Sequence, residues 1–163
     1  MSRRALLLLL LLAGCGFRLR GTANVPFETI HVPGATAGIA LDLKRNIEAG
    51  TRARVVDDPK AAQALLQVTE EARSREILSL TSAGRVREFQ LRYRVGFRVH
   101  DGKGGEFVPA SVIQLTRDMT YSDAEILAKE QEEQLLFRDM RTDMVQQILR
   151  RLASAKPPAP RVE

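Results

Sequence analysis

Few residues in this chain have types and spacing suited to chemistry, and most of those are arginines. Arg73 and Arg75, then Arg92 and Arg94, sit two residues apart on either side of Ser82-Ala83-Gly84. That spacing on a strand puts both members of a pair on one face. A guanidinium fork matches phosphate or carboxylate bidentately, so the chemistry suggested is anion recognition. Catalysis has less material. His31 lies inside an alternating apolar stretch, His100 beside a glycine-rich turn, and Asp57-Asp58 precedes Pro59, where carboxylates more often cap or turn the chain. With no His/Cys metal spacing either, the expectation is a protein that is not an enzyme, with no metal and no cofactor. Cys15 is the single cysteine, so no intrachain disulfide can form.

Cys15 closes an ordered segment: Arg3-Arg4, seven leucines at 6–12, then Ala13-Gly14. A positive start, an apolar run and small residues make an export signal. The apolar run is about half of the ~20 residues a membrane-spanning helix needs. Leu12-Ala13-Gly14-Cys15 resembles a bacterial lipobox, which implies cleavage before Cys15 and lipid attached to it. Gly16 stands where Asp often signals retention at the inner membrane, so the expected location is the cell outer membrane, lipid-anchored, on the periplasmic side. Residues 1–14 are therefore a signal peptide, 15–26 a lipidated tether, 27–153 one domain and 154–163 a Pro-rich disordered tail. The 25 basic and 20 acidic residues become 23 and 20 once Arg3 and Arg4 leave. Bulk charge then says little, and the location argues for a membrane and no nucleic acid.

The elements that must hold the arginines follow from periodicity. Alternation over 27–32 reads as a half-buried strand. Ile39, Leu43 and Ile47 recur at helical spacing, with Gly50 at the expected C-terminal position, and 52–56 returns as a strand. Asp58-Pro59 starts one helical turn, followed by a strand over 65–80. Residues 86–100 alternate most cleanly, with Phe89, Leu91, Tyr93, Val95, Phe97 and Val99 on one face. After the turn at 101–105 another strand covers 112–121, with Arg117 intruding on its apolar face. Ser122 and Glu125 form a capping-box pattern, and Leu136, Met140, Met144, Ile148 and Leu152 mark the last helix. Its polar start, 129–134, reads as projecting turns or a loop. The fold class is α+β: a mixed sheet of about five strands with two helices, in the order β-α-β-β-β-β-α.

A hairpin with a two- or four-residue loop centred on Ala83-Gly84 pairs positions whose numbers sum to 167; a three-residue loop, which would set apolar Leu78 against Gln90 and mix the faces, is disfavoured. Leu78 then faces Phe89, Arg75 faces Arg92, and Arg73 faces Arg94, clustering four arginines on the wet face. Directly opposed like charges destabilise a strand pair by up to ~1 kcal/mol. Either an anion is recognised there, or Glu71, Glu76 and Glu88 relieve a solvated face.

Cys15-Gly16-Phe17-Arg18-Leu19-Arg20-Gly21, Ser82-Ala83-Gly84-Arg85-Val86-Arg87-Glu88-Phe89-Gln90-Leu91 and Leu127-Ala128-Lys129-Glu130-Gln131-Glu132, in that order and spacing, resemble the lipopolysaccharide-assembly lipoproteins of the LptE family. The resemblance implies a non-enzymatic protein that plugs the lumen of the LptD outer-membrane β-barrel, helps it assemble, and binds lipopolysaccharide. The alternative is a periplasm-facing lipoprotein scaffold with an unrelated partner. The family's binding lysine falls on Lys129. Its basic residue at the hairpin tip has no direct counterpart; Arg85 and Arg87 are nearest. The expected ligand-binding set is thus Lys129, Arg85, Arg87, Arg73, Arg75, Arg92 and Arg94, with Cys15 as lipid attachment site.

Overall fold

A computed structural model describes residues 23–158. The signal peptide, Cys15 and most of the tether, and residues 159–163 of the tail, lie outside the described residues. Strand β1 (Thr29–His31), helix α1 (Gly38–Gly50) and strand β2 (Arg54–Val55) come first. A 3-10 turn (Pro59–Ala61) leads to three long strands, β3 (Ala64–Leu80), β4 (Val86–His100) and β5 (Glu106–Thr120). A second 3-10 turn (Asp123–Glu125) opens helix α2 (Ile126–Ala153). The five-stranded sheet has the order β2-β1-β3-β4-β5. β1 pairs in parallel with both neighbours, and β3-β4-β5 is an antiparallel meander. The mixed α+β class and the element order expected from the sequence are what the chain adopts.

Both helices cover one face. α1 buries Ile39, Leu43 and Ile47, the three residues whose spacing marked it. α2 buries Met140, Met144, Ile148 and Leu152 and, one position after the expected start of its stripe, Phe137. Leu135 stays exposed and Leu136 is half-buried. Beneath them, Leu91, Tyr93, Val95, Phe97 and Val99 of β4 are fully buried. Each such side chain contributes about 1.5–3 kcal/mol on leaving water. Arg117, the intruder on the apolar face of β5, donates to Asp143 of α2 at 2.8 Å.

Several local expectations change. Gly50 ends α1 without a positive φ. Thr51 closes the helix instead, its backbone N–H and its hydroxyl both donating to the Ile47 carbonyl. Ser122 makes no capping bond, because a 3-10 turn intervenes; the polar stretch 129–134 is continuous helix. β5 begins at Glu106, six residues earlier than expected. Pro109 is tolerated there because the β4–β5 ladder shifts register between the Phe97–Ser111 and Val99–Val108 pairs, leaving no ladder donor to lose. Past Ala153, the described residues hold no helix or strand.

The largest correction concerns hairpin register. Near the base Leu66 pairs with Val99 and Val68 with Phe97, but Glu70 pairs with Gly96, so Thr69 is one residue extra. From there Arg73 faces Tyr93, Ser74 faces Arg92, Arg75 faces Leu91, and Ile77, not Leu78, faces Phe89. The expected Arg75–Arg92 and Arg73–Arg94 pairs do not form. Two causes act together. The hairpin turns through Ser82-Ala83-Gly84, with Thr81 N–H bonded to the Arg85 carbonyl and Gly84 at φ +75, which is the common three-residue loop. At the other end Thr69 and Glu70 crowd onto one face, and only a glycine opposite leaves room. A Cβ on Gly96 would lie 2.7 Å from Thr69 Oγ1 and 3.3 Å from Glu70 Cβ.

Beyond the bulge, β3 turns polar side chains toward the helices. Glu71 accepts from the Tyr93 hydroxyl at 2.7 Å and reaches the first turn of α1, where the Ile39 N–H points at its Oε2 from 3.5 Å. Gly38, at φ +60, lets that carboxylate approach; a Cβ there would lie 3.1 Å from Glu71 Oε2. Burial, then the hydrogen bond to Glu71, then its charge push the Tyr93 phenol well above its ordinary range, against the opposing Arg73.

Two outcomes follow. Gly96→Ala should lower stability by about 1–3 kcal/mol, the cost of overpacking, and Thr69→Ala in the same chain should recover part of that loss in denaturant melts. No recovery would show that the bulge does not depend on this contact. For Tyr93, a raised folded-state pKa means stability present below the unfolded phenol value near 10 and lost as pH rises past it. The tyrosinate absorbance that Tyr93→Phe removes should therefore appear only with alkaline unfolding. Titration at the ordinary phenol value in folded protein would contradict the geometry.

Candidate functional site

Because the bulge reverses which residues of β3 face the helices, the four arginines divide two and two. Arg73 and Arg75 stand on the helix-covered face. The Arg73 guanidinium lies 5.3 Å from the Tyr93 ring centroid and 5.6 Å from that of Phe137, with Glu71 Oε1 at 3.8 Å. Arg75 lies over Phe89 at 4.6 Å and donates to Glu133 of α2 at 2.7 Å. Both clamp the free half of the hairpin to the helices. Arg92 and Arg94 stand on the open face. Arg92 holds Glu76 through both oxygens, at 2.6 and 3.0 Å, and Arg94 Nε lies 3.4 Å from Glu70 Oε2. The four-arginine cluster expected from the sequence is absent because register and pairing separate its members.

The remaining candidates gather at the far end of the hairpin. Lys129, in the first turn of α2, donates to Thr120 Oγ1 at 3.1 Å and to Glu132 at 2.8 Å. Thr120 pairs with Glu88, next to Arg87, and the Arg87 carbonyl accepts the Tyr121 N–H. Arg87 Nη2 lies 3.7 Å from Glu88 Oε2, while Arg85 is exposed and has no ion pair among the described residues. Lys129, Arg85 and Arg87 therefore share one end of the molecule, although 42 residues separate Arg87 from Lys129 in the chain.

That end also exposes apolar surface the sequence reading passed over. Ile77 is 59% exposed, Leu78 47% and Leu80 55%, and across the tip Ile126 is 46% and Leu127 76% exposed. The signal was present. Ile77-Leu78 breaks the period-two alternation, so one of the two must face water whichever register holds. Apolar side chains beside cations suit an amphiphile with acyl chains and anionic groups. β3 is 17 residues long, which puts this tip about 50 Å from the base where the tether enters.

The residues considered for catalysis have structural partners. His31 Nδ1 donates to the Val56 carbonyl, and His100 Nδ1 accepts from the Gly102 N–H. Asp57 pairs with Lys44, and Asp58 caps the 3-10 turn by accepting the Lys60 N–H. Among the described residues no group of three or more His, Cys, Asp or Glu side chains is placed to hold a metal ion, and no helix is long and apolar enough to cross a membrane.

Comparison with known proteins agrees with this architecture. The LptE family model, described as lipopolysaccharide-assembly, matches residues 27–152. The LPS-assembly lipoprotein LptE of Yersinia enterocolitica is 32% identical over 161 residues, covering 93% of this chain and 77% of that protein. The protein of the same name from Photorhabdus laumondii is 26% identical over 149 residues, covering 90% and 81%. Among solved structures, an uncharacterized lipoprotein B from Nitrosomonas europaea superposes with a TM-score of 0.71 at 44% identity, covering 83% of this chain and 88% of that one. The rare lipoprotein B of Shewanella oneidensis gives 0.66 at 25% identity, covering 77% and 92%. With a family model spanning the whole sheet and both helices, this chain belongs to the LptE family of lipopolysaccharide-assembly lipoproteins.

Proposed function

We propose that this lipoprotein is anchored through Cys15 at the outer membrane, plugs and helps assemble the LptD β-barrel, and binds lipopolysaccharide on its way to the cell surface. The role is non-catalytic. The observation that carries lipopolysaccharide binding is the tip, where Ile77, Leu78, Leu80 and Leu127 are exposed beside Arg85, Arg87 and Lys129. Acyl chains suit the first group and phosphates the second. Barrel binding rests on the family relationship and on shape, a stiff hairpin about 50 Å long with one face left free of helices.

The seven basic candidates take different parts in this reading. Arg85 carries a charge met by no carboxylate among the described residues, while Arg87 and Lys129, at the same end, lie beside Glu88 and Glu132. Arg73 and Arg75 hold the hairpin in place. Arg92 and Arg94 meet the barrel wall, with their charge largely balanced by Glu76 and Glu70.

Replacing Arg85 and Lys129 with Gln should weaken lipopolysaccharide binding about tenfold, the worth of one charge-assisted hydrogen bond, while circular dichroism stays unchanged. Arg92→Gln with Arg94→Gln should leave that affinity within about twofold, since screened, already paired surface charges contribute little. The reverse pattern would move the ligand site to the open face. Pull-down of the tagged lipoprotein from outer membranes should recover a large β-barrel. Recovery of none would favour the alternative, a scaffold with an unrelated partner.

A further inference from the structure

Charge on this molecule is sorted along its long axis. Segments 23–28, 50–54, 101–107 and 150–158 close the base of the sheet: Ala23 bridges Thr51, Phe27 meets Phe107 edge-on at 5.3 Å, and Pro158 packs against Gly105. These segments hold six basic residues, Arg52, Arg54, Lys103, Arg150, Arg151 and Lys156. Their three acids are Glu28, Asp101 and Glu106. Asp101 is engaged in its own loop, where it accepts the N–H groups of Lys103 and Gly105 at 2.7 and 2.8 Å. The tip is the opposite: residues 76–90 and 118–133 hold three basic residues against eight acids. Two of the tip acids, Glu76 and Glu133, pair with Arg92 and Arg75 just outside these segments, so the base carries an excess of three positive charges and the tip an excess of three negative ones.

The basic side chains at the base are also available. Arg52, Arg54, Lys103 and Arg150 are exposed, and none makes an ion pair among the described residues. Two open clefts meet there at Gln63, one of about 630 Å³ beside Arg52 and Arg54 and one of about 660 Å³ beside Lys60 and Lys103. Residues 15–22 join this end to the lipid site and add Arg18 and Arg20 without any acid.

We propose that the base docks on anionic phospholipid headgroups of the leaflet that holds the Cys15 lipid, standing the body upright with its acidic tip away from the surface. The inference rests on Cys15 as the anchor and is independent of lipopolysaccharide binding at the tip. Attraction to an anionic leaflet decays within about 8 Å at physiological salt. It therefore acts on the base and not on a tip about 50 Å away. Eight residues from Cys15 to Ala23 reach at most about 28 Å, which keeps the base near the headgroups at high effective concentration. A few exposed cations then suffice to set orientation.

The test is hydrogen exchange on the lipidated full chain, reconstituted in vesicles of phosphatidylcholine alone or mixed with phosphatidylglycerol. At low salt, exchange in loop 101–105 should slow about threefold or more on the anionic vesicles only, and high salt should abolish the difference. Arg52→Gln, Arg54→Gln, Lys103→Gln and Arg150→Gln together should remove the protection with unchanged circular dichroism. Equal exchange on both vesicles, protection of loop 81–85 instead, or protection that survives the four substitutions would overturn the proposal. Protection that appears only when the barrel is added would also overturn it, by making acidic groups of a protein the partner. Barrel and lipopolysaccharide binding are read separately, so their failure is distinguishable from this one.

Discussion

The extra residue at Thr69, accommodated by the missing side chain of Gly96, decides what the outer half of the sheet presents to each side. Before it, the even-numbered residues Ala64, Leu66 and Val68 face the helices; after it, Glu71, Arg73, Arg75 and Ile77 do. A one-residue shift in a strand exchanges its two faces completely. The bulge therefore converts a β3 that is apolar toward the core near the base into one that sends charged side chains toward the same helices farther out. Without it the base register would run on, Arg73 would stand opposite Arg92 and Arg75 opposite Gln90 on open solvent, and the helices would meet Ala72, Ser74 and Glu76.

This exchange explains how a small helical layer covers a long hairpin. The 13 residues of α1 reach only part of β3, and the outer half has α2 alone above it. Polar bonds take over from packing there. Glu71 joins the start of α1 to Tyr93, Arg73 lies between two rings, and Arg75 ties β3 to Glu133. Cation–π contacts and ion pairs of this kind are worth about 0.5–2 kcal/mol each, less than buried leucines. They still fix the hairpin against the helix while leaving both exposed to a partner. The apolar residues Ile77, Leu78 and Leu80, farther along the strand, are left about half exposed.

How far the sequence reveals this depends on whether a local rule or a distant residue decides. The α1 stripe, the clean alternation of β4 and the five-strand order were legible because burial imposes periodicity on each element separately. Hairpin register was not, because it turns on the fit of Thr69 and Glu70 to Gly96 across the sheet, where sequence spacing is silent. Gly96 was the available clue: a glycine inside an otherwise well-formed strand marks a bulge or a close approach. The difference carries straight into the site, since an anion-binding cluster of four arginines exists only in the expected register. Lys129 and its hairpin neighbours came from family resemblance, and only folding places them at one end. The exposed tip was hidden by the expectation that an apolar pair belongs to the core.

The pairing of charges completes the picture of a molecule with two differently equipped ends. Along the middle, carboxylates meet several arginines: Glu70 and Glu76 on the open face, and Glu71 of β3 with Glu133 and Asp143 of α2 on the helix-covered face. Such pairs cancel their own field at a distance. Arg52, Arg54, Lys103 and Arg150 at the base and Arg85 at the tip have no such partner among the described residues. The basic base adjoins the tether, while the tip combines exposed apolar side chains with an excess of acid around Arg85 and Arg87. An acidic surround repels unspecific anions but leaves a close phosphate contact to Arg85 possible, since opposing charges a Debye length away are screened and a direct fork is not. A tip of that kind favours a ligand whose apolar part first seats on Ile77, Leu78 and Leu127. Phosphate alone should therefore gain little hold there, and the acyl chains of an amphiphile are needed to bring it within reach.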